Sequence, residues 1–124
     1  MIKKIDQRIE EIEFKLELVN NWLSNIKNTQ NSFNTEEALS FAESFERKEK
    51  ELKLLESERK YLFNCKNALI ILQVNVDTIN TKLQTKELFE GNEEDNITKL
   101  DSYKQKKEAL ERILKLYLGD QEWN

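Results

Sequence analysis

Proline and histidine are absent from this chain, glycine occurs only at positions 91 and 119, and the single cysteine is Cys65. Each scarcity excludes something. Without histidine, neither a Ser-His nor a Cys-His pair can form within one chain, and no imidazole is available to a metal. One cysteine makes neither an internal disulfide nor a thiolate metal site. Two isolated glycines cannot build a loop that cradles phosphate. A β-fold of 124 residues would need many tight turns, so the shortage of turn formers predicts a few long helices instead.

Long apolar runs are also missing. The longest, Ala68-Leu-Ile-Ile-Leu72, falls far short of the ~20 residues of a membrane span. The N-terminus, MIKKIDQRIEEIEF, carries acids where a signal peptide needs an apolar stretch. The net charge of −4 is mild, and charges of both signs are interspersed. That pattern fits solvated helices and favours neither nucleic acid nor an anionic membrane as partner. The expectation is one soluble, cytoplasmic helical domain over residues 1–124.

What is present is periodicity. Ile2, Ile5, Ile9, Ile12, Leu16, Val19, Leu23 and Ile26 follow alternating spacings of three and four, an unbroken heptad seam. This predicts a helix over about 2–28, ended by the polar run Asn28-Thr-Gln-Asn-Ser-Phe-Asn34, whose side chains compete for backbone hydrogen bonds. Asn34 or Thr35 then caps a second helix over about 36–90, with Glu36 and Glu37 complementing its dipole. Gly91-Asn-Glu-Glu-Asp-Asn96 reads as a loop, and a third helix over about 97–118 stops at Gly119 before a frayed tail, 119–124.

The expected fold is all-α: an elongated antiparallel coiled-coil bundle of three helices with a long central helix. At ~1.5 Å per residue that helix would reach about 80 Å, and the outer two would fold back along it. An alternative breaks it near Asn64-Cys-Lys-Asn67 into a four-helix up-down-up-down bundle. Phase favours continuity. Phe41, Phe45, Leu52, Leu55 and Leu62 share one side of the helix, whereas Cys65, Leu69, Leu72, Val76, Ile79 and Leu83 share a side rotated by roughly 120°. Leu72 to Thr78 also alternates as a strand would, but the longer helical stripe uses the same residues and no second strand exists to pair with.

Two apolar sets fall outside these stripes. Phe14, Leu18 and Trp22 lie about 200–280° round from Ile12, and Phe63, Ile70 and Val74 continue the first stripe past the point where it changes sides. Both sets want a partner, from this chain or from another molecule, and they are the candidate protein interface. Lys99, Lys104, Lys106, Lys107, Arg112 and Lys115 form a candidate basic face, with Tyr103 and Tyr117 expected on the apolar stripe. Cys65 reads as a small packing residue. Glu93, Glu94 and Asp95, with Glu87 and Glu90, read as solvated loop charge, without the alternation of a calcium loop. No catalytic group, metal site or cofactor site is expected.

The functional expectation is therefore a non-enzymatic interaction module: a small helical adaptor or inhibitor that binds or blocks a partner protein, as a homodimer. A coiled-coil assembly scaffold is the alternative, and nucleic-acid binding through the last helix a second.

Overall fold

In a computed structural model the chain is an all-α helical bundle. The structure describes residues 1–28, 34–85 and 93–119. Helix α1 spans Ile2–Ser24 and tightens into a 3₁₀ turn at Asn25–Asn28. Helix α2 spans Thr35–Thr85, and helix α3 spans Glu93–Leu118. Every element among the described residues is helical. None of these helices is long and apolar enough to cross a membrane.

The helix ends have local causes. The Asn34 side-chain oxygen accepts the Glu37 N–H at 2.8 Å, and its carbonyl accepts the Ala38 N–H at 2.9 Å, which makes Asn34 the N-cap of α2. Glu36 and Glu37 fill the first turn, at the positive end of the dipole. At the other end of the chain, Gly119 adopts φ +91° and donates its N–H to the Lys115 carbonyl at 2.9 Å. That is the left-handed cap that glycine forms without a Cβ penalty.

One boundary differs from the sequence reading. Glu93, Glu94 and Asp95 were expected in a loop, but they form the first turn of α3, where three carboxylates favour the helix N-terminus. The interruption at Asn64–Asn67 does not occur: α2 runs through it, so the four-helix alternative is not adopted. The expected extension of α2 to residue 90, the cap at Gly91 and the tail beyond Gly119 lie outside the described residues.

The chain contacts divide into two compact units, Ile5–Phe63, and Met1–Lys4 with Asn64–Asn124. In the first, α1 buries Ile5, Ile9, Ile12, Leu16 and Val19, the heptad seam read from the sequence, and α2 buries Leu55 and Leu62. Arg8 on α1 bonds to Glu58, and further along Trp22 stacks on Phe41. Advancing along α1 thus means retreating along α2, so the two helices are antiparallel.

In the second unit, α2 buries Cys65, Leu69, Val76 and Ile79, and α3 buries Leu100 and Leu114. Val76, Ile79 and Leu100 form one cluster, with Leu83 and Tyr103 packed on it. Leu69 and Gln73 share a hollow with Lys107 and Glu111, which sets α3 antiparallel to this part of α2. The helical stripe expected around Cys65 is therefore the one covered by α3.

Candidate functional site

The structure leaves several large apolar side chains in solvent. On α1 these are Phe14, 63% exposed, and Leu18, 54% exposed. They stand one helical turn apart, on the side away from the seam. Trp22, the next residue on that stripe, is different: it is half-buried and stacks on Phe41, with ring centroids 5.5 Å apart and planes 23° from parallel. A stripe of i, i+4, i+8 residues drifts by ~40° per step around a helix, so by Trp22 it has turned toward the packed side. Of the three, one finds its partner within the chain. Phe14 and Leu18 stay on the surface.

Phe63 on α2 is exposed in the same unit, together with Leu54 and Tyr61. In the other unit α2 exposes Ile70, Val74 and also Ile71, which the sequence reading did not single out. The signal for Ile71 was available: five consecutive apolar residues on a helix cannot all face one side, so Ala68 to Leu72 must present some of them opposite the seam. Helix α3 exposes Ile97, Ile113 and Leu116. Tyr117 was expected on the apolar stripe but is 46% exposed, whereas Tyr103 packs as expected.

The six cationic residues of α3 do not share one face. Lys104 and Lys115 lie about 140–180° round the helix from Lys99 and Lys106, with the buried Leu100 and Leu114 side between the two groups. Lys107 is half-buried and pairs with Glu111 at 3.7 Å. Glu108 and Asp101 intervene near Lys104 and Arg112. The result is a mixed-charge surface, not a basic stripe.

No family model, curated protein or solved structure matches this chain. Its own geometry must carry the reading.

The concave sites offer little chemistry. A hollow of about 330 Å³ is lined by Met1, Ile2, Leu69, Gln73, Lys107 and Glu111, and the last two pair with each other at 3.7 Å. A smaller hollow of about 120 Å³ is lined by Trp22, Asn25, Ile26 and Phe41. Cys65 is a free thiol, 7% exposed, on the same buried side as Leu69 and Val76. Burial among apolar groups suits a packing role, since reactive thiols sit partly exposed beside positive charge. Among the described residues no three His, Cys, Asp or Glu side chains are placed to hold a metal ion. Glu87 and Glu90 lie outside them.

Proposed function

We propose that this protein is a non-enzymatic helical interaction module, an adaptor or inhibitor that binds or blocks a partner protein and works as a homodimer. The observation that supports it most is the exposure of Phe14 and Leu18 on a helix whose seam is already filled. Single exposed apolar residues are ordinary, but adjacent large ones, one aromatic, on a rigid helix face are typical anchors of protein recognition. Helix-in-groove binding uses this kind of i, i+4 pair. The scattered cations of α3 give the nucleic-acid alternative no comparable support.

The test is capture from cells of the source organism by the tagged protein, followed by mass spectrometry, in parallel with a Phe14→Glu/Leu18→Glu variant. A partner retained by the parent chain and lost by the variant, with unchanged circular dichroism, supports the reading. Identical capture by both chains removes it. Light scattering addresses the scaffold alternative: growth into large assemblies with concentration would favour it over a discrete dimer.

A further inference from the structure

We propose that the hollow between α1 and α2 walled by Trp22 and edged by Arg47 and Lys48 binds a small planar organic anion, a ring system carrying one phosphate or carboxylate. This goes beyond the interaction reading above and involves neither Phe14 nor Leu18.

Unlike the two hollows already described, this one gathers unneutralised positive charge beside an aromatic wall. It measures about 340 Å³ and is lined by Trp22 from α1 and by Ser44, Arg47, Lys48 and Glu51 from α2, all within the Ile5–Phe63 unit. The four α2 residues recur at helical spacing and so share one stripe of the helix. The Phe41 stack holds the Trp22 ring in place, so the wall exists before any ligand arrives. A volume at the small end of ligand sites leaves room for a ring as well as an anionic group. Bare phosphate would leave the indole wall unused.

Charge selects the ligand. Arg47 donates from Nη2 to Ser44 Oγ at 3.3 Å, a neutral acceptor that leaves the guanidinium charge unmatched. Lys48 meets Glu51 only at 3.7 Å, with both side chains more than a third exposed. An ion pair that loose and wet is weak, and a ligand oxyanion can compete for the ammonium. Lys15 adds to the field: it lies on the same stripe of α1 as Arg8 and Trp22, midway between them. Neither Arg47 nor Lys15 has a carboxylate partner among the described residues. The acids nearest along this flank, Glu11 and Glu58, are both held by Arg8. A chain of net charge −4 therefore carries a local positive site here. A guanidinium fork beside an ammonium suits a phosphate or carboxylate, and the indole suits a planar ring attached to it.

Tryptophan emission reads this site directly. The chain has two tryptophans, so Trp123→Phe leaves Trp22 as the sole reporter. Titration with adenosine monophosphate or with benzoate should give a saturable change, with a Kd of about 1 mM or tighter for at least one of them. Adenosine, which lacks the anion, and inorganic phosphate, which lacks the ring, should each bind at least ten-fold more weakly. Arg47→Gln and Lys48→Gln, both at solvent-accessible positions, should each weaken binding about ten-fold with unchanged circular dichroism, whereas Lys50→Gln, exposed but outside the hollow, should not. Calorimetry on the parent chain should repeat the ranking without relying on the reporter. The absence of a saturable signal with both anions overturns the proposal. So does binding of adenosine or phosphate as tight as that of the ring-bearing anion, or equal losses at Lys50 and Arg47. None of these outcomes touches capture through Phe14 and Leu18, so the adaptor reading stands or falls separately.

Discussion

Arg8 donates from Nε to the Glu58 carboxylate at 2.9 Å, joining α1 to α2 across fifty residues of chain. Its Nη1 reaches Glu11 at 3.1 Å, so one guanidinium serves a carboxylate on its own helix and one on the neighbour. The Glu58 side chain is the more enclosed partner, 18% exposed against 35% for Arg8. This planar fork lies beside the seam and sets the register in which Ile5, Ile9 and Ile12 are covered.

Glu58→Gln should lower stability by about 1 kcal/mol, because the pair is only partly shielded from water. A double-mutant cycle with Arg8→Met in urea denaturation measures the coupling, and a value of zero would show that the pair does not help hold the register. The Glu58 hydrogen bond, opposed by partial burial and helped by Glu11, raises the Arg8 pKa above its ordinary value. A cation with a raised pKa contributes stability that is complete below the unfolded value and lost only as pH rises through the folded one. The Arg8 side of the pair should therefore give no change in stability between about pH 6 and 9.

Trp22→Ala should cost about 2 kcal/mol, since it removes a half-buried aromatic stacked on Phe41. Phe14→Ala and Leu18→Ala should each stay within about 0.5 kcal/mol of the parent, because neither side chain is covered. Thermal denaturation of the three variants side by side is the check. Equal losses at Phe14 and Trp22 would place Phe14 in a packed environment.

Leu62 and Leu114 are fully buried, one in each unit, and truncation of either to alanine should cost about 2–5 kcal/mol. Leu54→Ala, on a side chain 71% exposed, should be close to neutral. Hydrogen exchange would add a spatial readout, with Leu62→Ala loosening the α1–α2 pair first and Leu114→Ala loosening the α2–α3 pair first.

Cys65 should react with a thiol reagent far more slowly in the folded protein than in denaturant, because its sulfur is enclosed on the Leu69 side of α2. Cys65→Ala should be tolerated at about 1 kcal/mol, as expected for a small apolar packing residue. Rapid labelling of the native protein would reopen a chemical role for the thiol.

Asn34→Ala should destabilise the start of α2 by about 1 kcal/mol, because it leaves the Glu37 N–H without the side-chain oxygen it now donates to. Asn34→Asp should retain most of the capping. Comparing the two variants by urea denaturation separates the hydrogen bond from the general effect of substitution.

Much of this architecture was legible from residues one to a few turns apart. The three-four spacing from Ile5 to Val19 named five of the buried side chains of α1, because a helix reads out that period directly. The same reasoning placed Cys65, Leu69, Val76 and Ile79 on one buried side of α2, and the lack of Gly or Pro kept α2 intact through Asn64–Asn67. The start of α3 was misplaced because an acidic cluster looks the same whether it hydrates a loop or caps a helix dipole; only the backbone at Glu93 distinguishes them.

By itself, then, the sequence determined the helical class, the seams and the caps, since these depend on neighbours within about four residues. Only the tertiary structure decided which surplus apolar residues are spent inside the chain. Trp22 and Phe14 lie on one stripe, yet one stacks on Phe41 and the other faces solvent. That difference depends on the register of a second helix, set here by contacts such as Arg8 to Glu58, between residues far apart along the chain. For the same reason the exposure of Ile70, Ile71 and Val74 became visible only once α3 had covered the opposite side of α2.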